Sequence, residues 1–320
     1  MATVFVSGTL PGASPARLAE LHHVVQDEAG IRSAAFEACR DSVEGIVALL
    51  TDRIDGTLLD SAPRLKIVAN VAVGVDNVDL AACAARVVVV TNTPDVLTEA
   101  TADMAFGLLI AAARRIAEGD RLVRSGGFTG WTPTFMLGTR VHGMTLGIVG
   151  MGRIGQALAR RARGFGMHVL YNQRTRLPEP LERALGATYT QSLDEMLAWA
   201  DAVSIHCPLT PETRHLFSRE RLGRMKEGSI LVNTARGPIV DEAALADVLE
   251  HGPLSAAGLD VFEEEPTVHP ALLARPNAVL APHIGSADRV TREAMAATAI
   301  ANVLRVLGGE PALTPVAPRR

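Results

Sequence analysis

The sequence predicts an α/β fold with two doubly wound parallel sheets and a cleft between the domains that carry them. Three observations predict it. Short apolar, β-rich runs alternate with helical segments on both sides of residue 97, the pattern of parallel sheets covered on both faces. A glycine-punctuated stretch, Thr145–Gly155 (TLGIVGMGRIG), opens the second series of runs. The chain has 320 residues, enough for two domains of ordinary size.

Thr3–Ser7 reads as a first strand, not as part of a signal peptide. Ala16–Glu28 reads as a helix carrying His22 and His23, with Leu18, Leu21, Val24 and Val25 on one face. Gly45–Leu50, Lys66–Asn70 and Val87–Thr91 are further strands, and this domain is completed near Asn92-Thr93-Pro94. One long helix is expected over Leu97–Arg124, with Thr98 as its cap. Ser125–Arg140 is turn-rich and carries Trp131. From Thr145 the strands are His168–Tyr171, Ala202–Cys207, Ile230–Thr234, Ala256–Leu259 and Ala278–Ala281, with helices at Leu193–Trp199 and Glu242–His251 among them. A helix over Val290–Leu307 and a Pro-rich tail follow Pro282. The glycine-rich domain, 97–286, is therefore an insertion. The last helix is expected to return to the first domain, giving residues 1–96 plus 287–320. Two crossings make a hinge, and the cleft beside it is the expected place for a ligand.

Bulk properties exclude several classes. Net charge is −4 and no basic block stands out, which argues against a nucleic-acid partner. No apolar run reaches the ~20 residues that span a bilayer. Met104–Ala113 is the most apolar segment, and it ends in Arg114-Arg115. The cysteines, Cys39, Cys83 and Cys207, are scattered and lack metal-ligand spacing. They read as small buried hydrophobes in a reducing cytoplasm, and no metal is expected.

The glycines of Thr145–Gly155 stand in G-x-G-x-x-G register between a strand and a helix, the context of a dinucleotide fingerprint. Gly150 allows the tight turn, Gly152 lets a pyrophosphate approach the backbone, and Gly155 permits close helix–strand packing. The helix N-terminus then offers amides and positive dipole to phosphates. An Asp or Glu near the end of the second strand would hold a ribose 2′-hydroxyl. The chain here reads Tyr171-Asn172-Gln173-Arg174-Thr175-Arg176, without a carboxylate. Asn172 does not repel a 2′-phosphate. Arg174 and Arg176 can grip one through charge-assisted bonds worth about 1.5–3 kcal/mol each. NADPH is therefore expected over NADH by about tenfold or more. The competing reading leaves both arginines facing solvent.

Four pieces of sequence now align: GMGRIG, Ile230–Gly237 (ILVNTARG), Gly258–Pro266 (GLDVFEEEP) and Pro282–Ser286 (PHIGS). In this order and spacing they resemble the D-isomer-specific 2-hydroxy acid dehydrogenases. The resemblance extends to Asn70–Asp79 (NVAVGVDNVD) and Asn92–Asp103 (NTPDVLTEATAD). Gly130-Trp131, the arginine-bearing loop after Tyr171, and Gly285–Glu293 (GSADRVTRE) look most like the glyoxylate/hydroxypyruvate reductases. The fold implied is a flavodoxin-like substrate domain beside a Rossmann NAD(P) domain.

The resemblance implies catalytic roles for Arg236, Glu265 and His283, and the chemistry is sensible. Reducing a 2-keto acid needs a hydride on the carbonyl carbon and a proton on its oxygen. An imidazole can supply that proton, so His283 is the expected general acid. Glu265 is its charge partner. Glu264 is a rival for this role, and the position just before Pro266 favours Glu265. Arg236 offers a planar fork of donors to the substrate carboxylate and keto oxygen. Val73, Gly74 and Val75 resemble the family's substrate loop, acting with Arg236 and His283; their other reading is an ordinary strand-to-helix turn. Arg153 and Ile154 are expected along the pyrophosphate. Cys207, Pro208, Thr234 and Ala235 are expected along the adenine-to-nicotinamide track, with Gly285 grouped among the cofactor residues. Asp260 either accepts from the nicotinamide carboxamide or caps a strand end. His206 reads as structural.

The implied activity is NADPH-dependent reduction of glyoxylate to glycolate and of hydroxypyruvate to D-glycerate. Rival activities are 2-ketogluconate reduction, phosphoglycerate oxidation and phosphite oxidation. A cofactor-sensing role, as in the similar C-terminal-binding corepressors, belongs to a different class. Family members generally form homodimers. Leu97–Arg124 and the Trp131 loop are the candidate interface here, and Trp131 either reaches a partner's site or simply packs.

Overall fold

In the computed structural model residues 1–317 are described, and they form two compact units. One unit contains Met1–Leu97 and the chain from Ser286 onward; the other is Thr98–Gly285.

The first unit has five parallel strands: β1 (Thr3–Ser7), β2 (His23–Asp27), β3 (Val43–Ala48), β4 (Ile67–Asn70) and β5 (Val89–Thr91). Their order is β2-β1-β3-β4-β5, the flavodoxin-like arrangement. The sheet is buried on both faces. Phe5, Ile46, Val68 and Val90 pack on one side with Phe36 and Leu59. Val4, Val47, Ile67 and Ala69 pack on the other against Ala296, Ala299, Ile300 and Val303 of the Arg289–Leu307 helix. Short helices close the βα units. Asp55 caps Gly56–Ser61 and Asp79 caps Leu80–Ala85, each accepting a first-turn amide. Such caps contribute about 1 kcal/mol each.

The expected helix over Ala16–Glu28 is corrected. The helix spans Ser14–Leu21, and His22 lies just beyond it as C-cap. His23–Asp27 is the edge strand β2, paired in register with β1 from Thr3↔His23 to Ser7↔Asp27. The β-branched pair Val24-Val25 suits an edge that only β1 can complete.

The second unit has seven parallel strands: β6 (Thr145–Val149), β7 (His168–Asn172), β8 (Ala187–Tyr189), β9 (Ala202–Ile205), β10 (Ile230–Asn233), β11 (Ala256–Leu259) and β12 (Ala278–Leu280). Their order is β12-β11-β10-β9-β6-β7-β8. The direction of winding reverses between β6 and β9, as in a Rossmann sheet. Apolar residues of Thr98–Ala113 and of Arg153–Gly164 cover one face; Met196, Leu222, Leu245 and Leu249 lie in the core of the other.

The single long helix expected over Leu97–Arg124 is also corrected. Helices run over Thr98–Ala113 and Ile116–Arg124. The amide of Thr139 takes the Ala113 carbonyl at 2.8 Å, so that carbonyl is spent on a returning segment. Arg115 turns left-handed (φ 54°) and forks onto Glu118 at 2.7 and 2.8 Å. Among the described residues no helix is long and apolar enough to cross a membrane.

Candidate active site

β6 ends at Val149, just before Gly150, beside β9, where the strand order reverses. Doubly wound sheets bind ligands at such points, outside the carboxyl ends of their strands. Gly150 has φ +96°, and a Cβ there would lie 2.7 Å from the Cys207 amide nitrogen. A Cβ on Gly155 would lie 2.3 Å from the Gly150 carbonyl oxygen. Backbone packing therefore fixes both glycines. Gly152 differs, because nothing lies within 4 Å of the place its Cβ would take. It is the N-cap of the Arg153–Gly164 helix and supplies no side-chain cap. Open space above uncapped first-turn amides suits a pyrophosphate. Thr234 adds a buried hydroxyl with no partner among the described residues. These features fit a bound dinucleotide.

The segment after β7 is more ordered than its sequence suggests. Asn172 donates its side-chain amide to the carbonyls of Thr190 and Gln191 at 2.9 and 3.1 Å. Gln173, not singled out from the sequence, accepts the Met151 amide at 3.0 Å and so ties this segment to the glycine turn. Arg176, expected at a 2′-phosphate, instead forks onto the buried carboxylate of Glu182 at 2.8 and 3.0 Å. The Tyr171 hydroxyl also donates to Glu182, and burial pushes its pKa up to about 12, with the Glu182 charge adding to the shift. Arg174 is exposed and stands outside this network.

Three loops of the same unit gather Arg236, Glu265 and His283. β11 and β12 are neighbours, so the segments leaving them run side by side. The His283 amide donates to the Asp260 carbonyl at 2.8 Å, and His283 is left-handed at φ 53°. The buried Asp260 carboxylate accepts the amides of Ile284 and Gly285, both at 2.7 Å. Burial raises its pKa, while those two amides pull the other way. Asp260 thus clamps the histidine loop to β11. A carboxylate has about four acceptor sites, so further acceptance by Asp260 stays open. Gly285 packs over it, and a Cβ there would lie 2.9 Å from Asp260 Oδ2.

Glu265 closes its own turn by accepting the Phe262 amide at 3.0 Å. Its other oxygen meets His283 Nδ1 at 2.8 Å. Burial pushes the Glu265 carboxyl up. The bonds from His283 and Phe262, with the charges of His283 and Arg236, outweigh burial and hold it below the usual carboxylate range. Glu264 lies in the same turn, outside this pair. Glu242, also unforeseen, is buried and accepts the amides of Glu263 and His269, which anchors the turn from beneath.

Arg236 follows β10. Asn233 holds this loop from inside, donating to the Arg236 carbonyl at 2.9 Å and accepting the Ala235 amide at 3.0 Å. Gly237 is pressed onto the Glu265 turn: a Cβ there would fall 1.8 Å from the Phe262 carbonyl carbon. His206 lies at the end of β9. Burial lowers its pKa to about 4, so it is neutral, and its Nε2 pairs with the Ser204 hydroxyl at 2.8 Å. Among the described residues no group of His, Cys, Asp and Glu is arranged to hold a metal ion.

In the other unit, Val73–Val75 form a loop after β4. The carbonyls of these three residues are all bonded within the unit.

The model of the D-isomer specific 2-hydroxyacid dehydrogenase NAD binding domain matches residues 106–285. A glyoxylate reductase of Thermococcus onnurineus is 52% identical over 90% of this chain and 86% of its own. The chain belongs to the D-isomer-specific 2-hydroxyacid dehydrogenases. Solved structures agree with this family assignment. A glyoxylate reductase from Paecilomyes thermophila superposes with a TM-score of 0.88 at 36% identity, covering 98% of both chains. An NADPH-dependent glyoxylate/hydroxypyruvate reductase from Sinorhizobium meliloti, in complex with NADP and malonate, has a TM-score of 0.88 at 38% identity. That match covers 100% of this chain and 99% of the other. This 2-hydroxyacid dehydrogenase is accordingly an oxidoreductase that works with a nicotinamide cofactor.

Proposed function

We propose that the enzyme reduces small 2-keto acids, glyoxylate and hydroxypyruvate, to their 2-hydroxy acids, with NADPH preferred over NADH. The observation that carries this reading is the 2.8 Å pair of His283 and Glu265 beside the Arg236 loop, on a chain half identical to glyoxylate reductases. When bound, the reduced nicotinamide supplies the hydride. Arg236 holds the substrate carboxylate and polarises the keto oxygen. With Nδ1 tied to Glu265, His283 presents Nε2 to the keto oxygen and delivers the proton there. Glu265, held below the usual carboxylate range, stays ionised and balances the imidazolium. Reduction takes the proton from the imidazole, and oxidation of the hydroxy acid returns it there.

The amides of Val73–Val75 supply a second set of donors for a carboxylate. Arg153, Ile154 and the three fingerprint glycines serve the pyrophosphate. Cys207, Pro208, Thr234, Ala235, Asp260 and Gly285 serve the rest of the cofactor. Arg174 is the chief contact of the 2′-phosphate, because Arg176 is committed to Glu182. Measuring kcat/KM for glyoxylate with each cofactor tests both parts of the reading. Wild-type enzyme is expected to favour NADPH about tenfold, and Arg174→Ala to bring the ratio near one. An unchanged ratio in the variant removes Arg174 from cofactor selection, and no turnover with either cofactor removes the glyoxylate assignment.

A homodimer completes the reading. Ile116, Val123, Phe128, Trp131 and Leu137 form an exposed apolar series, Trp131 being 77% exposed. Such residues suit an isologous interface. A monomer mass by light scattering at micromolar concentration would remove it. The free thiols suit a reducing compartment, the cytoplasm.

A further inference from the structure

The loop after β4 is held in an unusual way. A trans peptide is planar, so the carbonyl of one residue and the amide of the next point in opposite directions. Fixing a carbonyl on one side therefore aims the following amide to the other. Three consecutive planes are fixed like this. The Thr93 amide takes the Ala72 carbonyl at 2.8 Å, which aims the amide of Val73. The Asn92 side chain takes the Val73 carbonyl at 2.9 Å, which aims the amide of Gly74. The Asn70 side chain takes the Gly74 carbonyl at 2.8 Å, which aims the amide of Val75.

The two asparagines are themselves braced. Asn70 is fully buried and exchanges hydrogen bonds with Asn77 at 3.1 and 3.2 Å. Asn77 also donates to the carbonyls of Leu49 and Asp52 at 3.1 and 3.0 Å. The Asn92 carbonyl accepts the Thr314 hydroxyl at 2.6 Å, and Thr314 is held in turn by Asn302 of the Arg289–Leu307 helix. The Asn70–Asn77 pair braces the donor to the Gly74 carbonyl, and the Asn302–Thr314–Asn92 chain braces the donor to the Val73 carbonyl.

We propose that Asn70 and Asn92 are positioning residues for substrate. They hold the carbonyls of Gly74 and Val73 away from the ligand, so that the following amides meet its carboxylate as a preformed cradle. This rests on the reading of Val73–Val75 as a carboxylate site. A preformed donor set binds without reorganising, whereas a free peptide plane must first be ordered.

The test uses the full-length enzyme with glyoxylate as substrate, oxalate as a dead-end probe, and NADPH binding followed by fluorescence. Asn92→Ala alters a half-exposed side chain. Asn70→Ser is the buried counterpart, with Asn92→Ala standing alone should it fold poorly. Each is expected to raise both the glyoxylate KM and the oxalate Ki about tenfold, with NADPH affinity unchanged and kcat within about threefold. A fall in kcat with KM and Ki unchanged would show a merely structural role and overturn the proposal. Arg236→Lys separates the two levels of the argument. If it raises KM and Ki while the asparagine variants do not, the keto-acid reading stands and the peptide-plane proposal falls. If none of the three changes either constant, both fall.

Discussion

His283→Ala is expected to lower kcat for glyoxylate reduction by about 10²–10⁴, the usual contribution of a positioned general acid. Cofactor affinity should stay close to wild type, because the fingerprint turn at Gly150–Gly155 lies at the end of β6, not on the His283 loop. The loop itself should survive the change. Its backbone is clamped by the Asp260 carboxylate and by the bond from the His283 amide to the Asp260 carbonyl, neither of which needs the imidazole. Loss of the ring also leaves Glu265 without one partner, but the Phe262 amide remains bonded to its other oxygen. Steady-state rates and fluorescence titration of NADPH check both parts. Near-normal turnover would remove His283 from the chemistry.

Arg236→Lys is expected to cost about 10²–10³ in kcat/KM for glyoxylate, the scale of losing one preorganised donor to a developing oxyanion. Lysine keeps the charge and loses the planar fork that meets a carboxylate with two parallel bonds. The effect should appear in KM and in kcat together, because in the proposed role the same group binds the carboxylate and polarises the keto oxygen. Fold damage should be slight. Asn233 grips this loop through backbone atoms of Ala235 and Arg236, and Gly237 seats it on the Phe262–Glu263 backbone. A rise in KM alone would limit Arg236 to carboxylate binding.

How much of this was legible depends on how local each requirement is. The fingerprint is local: Gly150 and Gly155 are demanded by backbone atoms a few residues away or on the adjacent strand, and the sequence displays them. Arg236, Glu265 and His283 were also named from the sequence. Their convergence was not visible, because it follows from β10, β11 and β12 being neighbours, a matter of sheet order. The strand β2 was hidden for a related reason. Val24-Val25 continues the apolar spacing of the preceding helix, and only pairing with β1 separates the two. The break at Arg114-Arg115 comes from Thr139 capturing a helix carbonyl 26 residues earlier, at Ala113. Arg176 looked like a phosphate ligand because its partner, Glu182, reads as a surface helix residue. Burial of that carboxylate beside Tyr171 gives Arg176 a partner that the sequence does not show. Asn70, Asn92 and Asn233 stand inside the family-like stretches without a role the sequence displays, and Glu242 stands in none of them. Each is defined by the backbone groups it satisfies, which lie close in sequence for Asn70 and Asn233 and 19 or more residues away for Asn92 and Glu242.

The most direct measurement is the product of hydroxypyruvate reduction. Purified enzyme incubated with hydroxypyruvate and NADPH, followed by chiral chromatography, should yield D-glycerate in step with NADPH consumed. L-glycerate, or NADPH binding without glycerate formation, would contradict the account.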